Sequence, residues 1–141
     1  MKRLIVKRER VARARRVQHL LASVETARAQ NEASALQDNA QRVQNVRAEL
    51  YATDEVTSGA QLASHRELAG RLEQAGRQLD GAIYKAQRRV EQREVELRLA
   101  NRDKEIAERL KEKAARALAE QMEARLQSLP RHKRSALLGD V

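Results

Sequence analysis

One proline, Pro130, stands in this chain of 141 residues, and it follows nearly all of the periodic sequence. Proline removes a backbone donor and clashes with the preceding helical turn, so residues 1–129 contain none of the usual helix-breaking chemistry of that ring. The other candidate break is the run Thr53-Asp54-Glu55-Val56-Thr57-Ser58-Gly59. Ala, Arg, Leu, Glu and Lys number 24, 22, 17, 15 and 7, together 85 of 141 residues, above the roughly half that marks coiled coils and long helices. The expectation is an all-α fold in which two long helices form an antiparallel coiled-coil hairpin. Such a hairpin has no deep cleft, so its function lies in what binds its ends and flanks.

Helix one is expected over about residues 3–53. Apolar residues recur there at steps of three and four: Leu4, Val11, Ala14, Val17, Leu21, Val24, Ala35 or Leu36, Val43, Val46 and Leu50. The stretch Arg28–Asn39 reads as a weak part of this seam, with Asn31, Glu32 and Asn39 near it. Residues 54–59 make the turn, with Asp54, Thr57 or Ser58 able to cap free backbone N–H groups and Gly59 free to take a positive φ. Helix two follows over about 60–129. Its seam reads Leu62, Leu68 or Ala69, Leu72, Gly76, Leu79, Ile83, Ala86, Val90, Leu97 and Ala100, then Ala107, Leu110 or Lys111, Ala114, Leu118, Met122 and Leu126. The steps suggest a stutter near Lys104.

A turn centred near residue 57 pairs Val43 with Leu72 and Leu4 with Leu110, and leaves helix two roughly a dozen residues longer than helix one. Gly70, Gly76 and Gly81 inside helix two suggest local flexibility or the close approach of another helix, against tolerated drift in a long helix. Residues 130–141 are expected to be a basic, disordered tail.

Composition excludes much. Tyr51 and Tyr84 are the aromatic residues, and Phe, Trp and Cys are absent, so a globular core built on large rings, a disulfide framework and a thiolate site are all ruled out. No run approaches the 18 or so apolar residues of a membrane span, and the three apolar residues Leu4-Ile5-Val6 are too few for a signal peptide. The expected location is the cytoplasm. His19, His65 and His132 are scattered and have no acidic partners at metal-ligand spacing. The acid pairs Asp54/Glu55 and Glu94/Glu96 lack an apolar pocket that would raise a pKa, and the glycines match no phosphate loop. No cofactor, metal or small-molecule substrate is expected, and the chain reads as non-enzymatic.

The charge of +9 is unevenly placed. Residues 1–30 carry nine Lys or Arg against two acids, whereas residues 31–60 carry two against five. Arg predominates in the first segment, and its planar fork suits carboxylates and phosphates. Docking to an acidic protein surface is the favoured reading. Nucleic acid is the alternative, disfavoured by the lack of stacking aromatics in that segment, and a generic structural coiled coil remains open.

The stretch Asn101-Arg102-Asp103-Lys104-Glu105-Ile106-Ala107-Glu108-Arg109-Leu110-Lys111-Glu112-Lys113, followed by Glu120-Gln121-Met122-Glu123, resembles the charged C-terminal run of the FliJ family. These are small coiled-coil components of flagellar and related type III protein export. The architectural likeness covers about residues 3–129. The resemblance implies a non-enzymatic, stalk-like partner of the export ATPase ring. It also implies contact with the cytoplasmic domain of the membrane export gate, recycling of export chaperones, and peripheral association with the inner-membrane export apparatus. On that reading Arg8, Arg13, Arg15 and Arg16, with Arg109 and Lys113 opposite, would dock on the ATPase. Leu72, Gly76, Leu79 and Ile83 would contact the gate, although Gly76 offers no side chain there, and the same four positions also fit the seam between the helices.

Overall fold

In a computed structural model that describes residues 1–52 and 58–130, the chain forms two helices, α1 (Lys2–Ala52) and α2 (Gly59–Ser128), packed as an antiparallel coiled-coil hairpin. No strand occurs among the described residues. The start of α2 has a local cause. The Ser58 hydroxyl oxygen accepts the Gln61 backbone N–H at 3.3 Å, and the Ser58 carbonyl accepts that of Leu62 at 3.2 Å. Ser58 is therefore the N-cap, satisfying one of the donors every helix start leaves free. The other proposed caps, Asp54 and Thr57, lie outside the described residues, as does most of the expected turn. At the far end Leu129 N–H bonds back only three residues, to Leu126 at 3.4 Å. This tightened last turn fits a residue that Pro130 pushes out of the α region. The proposed tail lies outside the described residues beyond Pro130.

The hairpin divides into two compact units. A terminal unit joins Met1–His19 to the chain from Ala100 onward, and a middle unit comprises Leu20–Leu99. In the middle unit the buried residues are Thr26, Ala29, Ala33 and Ala86. Thr26 Oγ1 lies 2.8 Å from the Ala22 carbonyl, one turn back on its own helix, and 3.2 Å from the Arg93 carbonyl of α2. Glu25 and Glu32 on α1 reach Arg93 at 3.9 Å and Arg89 at 3.4 Å. A turn centred at residue 57 would have set Thr26 against position 89. The observed partner is one helical turn further along α2, so the register differs from the expectation by that turn. Val43 accordingly shares a groove with Gly76 as well as Leu72.

In the terminal unit Ala12 is fully buried and Ala107 almost so. Arg15 pairs with Asp103 at 3.5 Å, and Arg16 with Glu108 at 2.5 Å. The seam positions of α1 here are Ile5, Arg8, Ala12, Arg15 and His19; in the middle unit they continue as Ala22, Thr26, Ala29, Ala33, Leu36, Ala40, Val43, Arg47 and Leu50, with Glu25 half-buried beside Thr26. The steps alternate three and four throughout, the spacing of a coiled-coil seam.

Leu36, Val43 and Leu50 lie on the α1 seam as expected, but over the first half of the helix the seam is not the one the larger apolar residues suggest. Leu4, Val11, Val17, Leu21, Val24 and Val46 are exposed. From residue 5 to residue 29 the buried stripe sits one or two positions later, and each position is a rotation of about 100°. In the stretch Arg28–Asn39, Asn31, Glu32 and Asn39 are exposed rather than on the seam, which here carries Ala29, Ala33 and Leu36. The cause is shape. Small residues let two helix axes approach closely, and Ala, Thr and the aliphatic stems of Arg supply a narrow face that Leu and Val would hold apart.

On α2 the expected seam is largely found. Leu72, Gly76, Leu79, Ile83, Ala86, Val90 and Leu97 are half-buried or buried in the middle unit, joined by Arg93. Ala100, Lys104, Ala107, Lys111, Ala114 and Leu118 continue the pattern in the terminal unit. There is no stutter at Lys104, which itself takes a seam position. Leu62, Met122 and Leu126 are exposed. From Ala119 to Pro130 every residue is exposed, consistent with α2 continuing past its partner helix. A Cβ built on Gly70, Gly76 or Gly81 would meet nothing within 4 Å, so within the hairpin these glycines do not mark a close helix–helix approach.

Candidate docking surface

Charge follows the two units. Residues 1–19 and 100–130 hold fifteen Lys or Arg against seven Asp or Glu, whereas residues 20–99 hold eleven against twelve. The cationic surplus visible along the sequence is therefore gathered into one compact unit, where a field of a single sign attracts anionic partners.

The six proposed ATPase-docking residues all belong to this unit but do different things. Arg15 and Arg16 are engaged with Asp103 and Glu108 across the hairpin. The hydrogen bond from Arg16 holds the Glu108 carboxyl below its ordinary value of 4.5; partial desolvation opposes this, and the positive charges of Arg16, Lys111 and Lys104 add to it. Arg8 is half-buried on the seam, whereas Arg13, Arg109 and Lys113 are exposed. The last three are therefore the ones placed to meet a partner without first breaking a contact inside the hairpin.

The four residues proposed for the gate, Leu72, Gly76, Leu79 and Ile83, lie in the middle unit. All four are half-buried on the seam facing α1. Gly76 and Leu72 border a shallow groove of about 210 Å³ with Ala40, Val43 and Arg47, rimmed by Glu73, Arg77 and Asp80. A partner here would reach only the edges of the apolar side chains, because their main contact is the other helix.

What the sequence reading did not identify as exposed surface is apolar. Large hydrophobic side chains remain at the surface in both units: Leu4, Val11, Ile106 and Leu110 in the terminal unit, and Leu20, Leu21, Val24, Val95 and Leu99 in the middle one. The signal was present as a regular apolar stripe on α1, but the stripe reads equally well as the seam. Among the described residues no three His, Asp or Glu side chains converge as a metal site would need, and no helix is long and apolar enough to cross a membrane. No family model, no curated protein and no solved structure matches the chain.

Proposed function

We propose that this chain is a non-enzymatic coiled-coil adaptor of a flagellar-type protein export apparatus, peripherally associated with the inner membrane from the cytoplasmic side. Its terminal unit docks on an acidic surface of the export ATPase ring, with Arg13, Arg109 and Lys113 as the available cations. Export chaperones and the cytoplasmic domain of the export gate are further partners. The observation that carries this reading is the gathering of fifteen cations against seven acids into the unit that joins the two terminal segments. The likeness of residues 101–123 to the FliJ family supports it. The reading predicts that the purified protein accelerates ATP hydrolysis by its cognate export ATPase. An Arg13→Glu/Arg109→Glu variant should lose that stimulation while keeping its helical content, because among the described residues neither cation carries an ion pair. Failure of the wild-type protein both to stimulate and to co-purify with the ATPase or the gate would overturn the proposal.

A further inference from the structure

The two flanks of the seam in the terminal unit differ. One carries the Arg16–Glu108 pair; the other carries Arg15–Asp103. Val11 lies one turn before Arg15, and Leu4 lies two turns before Val11. On α2, Ile106 and Leu110 lie one and two turns beyond Asp103. Because the helices are antiparallel, all four run along the Arg15–Asp103 flank in the same direction away from that pair. Their exposures, 45% for Leu4, 46% for Val11, 46% for Ile106 and 36% for Leu110, show an apolar strip that the hairpin itself leaves uncovered.

The residues bordering this strip are cations. Lys7 and Arg10 lie beside it on α1, and Arg102, Arg109 and Lys113 on α2, all exposed. The acid on the same flank, Asp103, is already paired with Arg15. An apolar strip at heptad spacing with charged borders is the surface that receives another amphipathic helix. The borders state the sign of that helix. A second copy of this chain is a poor occupant: its own strip has the same cationic rim, and its middle unit is close to neutral, with eleven cations against twelve acids. A polynucleotide would use the cations but leave the Leu, Ile and Val side chains without partners, since they offer no stacking surface.

We infer that the Arg15–Asp103 flank of the terminal unit is a docking site for an acidic amphipathic helix of a partner protein, which lies along Leu4, Val11, Ile106 and Leu110 as a third helix. Its apolar residues cover the strip and its Glu or Asp residues meet Lys7, Arg10, Arg102, Arg109 and Lys113. Across such a contact, opposite charges set partner choice and the buried apolar seam holds the complex. This inference does not depend on the partner belonging to an export system.

The test uses the full chain and a labelled synthetic helix of about three heptads, with Leu at the a and d positions and Glu at the flanking positions. Its twin carries Lys in place of Glu. In fluorescence anisotropy the Glu peptide should bind at least about tenfold more tightly than the Lys peptide, with the difference shrinking as salt rises. A Val11→Ser/Leu110→Ser variant that keeps its helical circular dichroism should lose at least about fivefold in affinity, whereas Val24→Ser/Leu99→Ser in the middle unit should not. A Lys7→Glu/Lys113→Glu variant, which takes the five-cation rim to three cations against two acids, should shrink the preference for the Glu peptide at least about fivefold, which keeps the inference testable even if the serine variant unfolds. Equal binding of both peptides, or binding unchanged by both terminal-unit variants, would overturn it. So would competition by duplex DNA that is equally strong in the wild type and the serine variant, because the surface would then be a polyanion patch.

Discussion

The Thr26 hydroxyl of α1 lies 3.2 Å from the Arg93 carbonyl oxygen of α2, 67 residues away in the chain. A side chain as short as threonine reaches a backbone carbonyl of the facing helix only where the two helices lie very close. Both carbonyls that the hydroxyl meets, those of Ala22 and Arg93, belong to helical backbone, and Thr26 is the buried polar residue among those described. This contact also states the register, one turn away from that expected of a turn centred at residue 57.

Replacing Thr26 therefore tests the packing directly. Thr26→Val keeps the shape and removes the shared hydrogen bond, and should cost about 0.5–1.5 kcal/mol. Thr26→Leu forces extra volume into a close-packed seam and should cost more, about 1–3 kcal/mol. Urea denaturation followed by circular dichroism measures both. If the leucine variant were the more stable of the two, the helices would not be held close at this point.

The rotated seam of α1 makes a prediction opposite to the one hydrophobicity alone would make. Leu21 is 60% exposed, so Leu21→Gln should change stability by less than about 0.5 kcal/mol. Ala107 is buried, in the register that sets it against Ala12, so Ala107→Leu should destabilise by about 1–3 kcal/mol. Thermal melts of the two variants decide the matter. A costly Leu21→Gln with a harmless Ala107→Leu would restore the stripe read from the larger residues.

The Arg16–Glu108 pair gives a pH dependence whose sign follows from its cause. The hydrogen bond from Arg16 lowers the Glu108 pKa in the folded chain, with Lys111 and Lys104 adding their charge. A depressed carboxyl pKa contributes stability that is fully present above the unfolded value and disappears as pH falls through the lower folded value. The wild-type chain should therefore melt higher than Glu108→Gln at neutral pH, and the gap should close below the ordinary value of 4.5. Paired melts across that range, repeated at high salt to screen the exposed charges, measure the gap. A difference that persists at the acidic end would mean that Glu108 acts through packing instead.

The helix-two glycines should respond to alanine as unobstructed helix positions. A Cβ at Gly81 meets nothing within 4 Å, so Gly81→Ala should stabilise the hairpin by about 0.5–1 kcal/mol through helix propensity. Gly76→Ala should behave alike, since its Cβ also finds open space. A loss of stability in either variant would point to a contact that the hairpin alone does not contain.

Much of the architecture was legible in the residues themselves. Helical composition and the lack of interior proline determine two long helices, and the polar run before Gly59 determines where they break, with Ser58 as the cap that starts α2. The phase of α2 was legible too, because Leu72, Leu79, Ile83, Val90 and Leu97 put larger side chains on the seam than on most other faces. Leu36, Val43 and Leu50 lie on the α1 seam as read, whereas the phase of the first half of α1 was decided only by tertiary structure. Its outer faces carry Leu4, Val11, Leu21 and Val24, whereas its seam carries Ala12, Ala22, Thr26, Ala29 and Ala33. Hydrophobicity ranks the first set above the second, but close packing selects by shape, and the smaller residues allow the helices to meet. The same selection leaves Arg15 and Arg16 paired across the hairpin, frees Arg13, Arg109 and Lys113, and turns an apolar stripe of α1 outward beside them. A linear pattern shows which residues could face a partner; which of them do depends on the rotation of one helix against another.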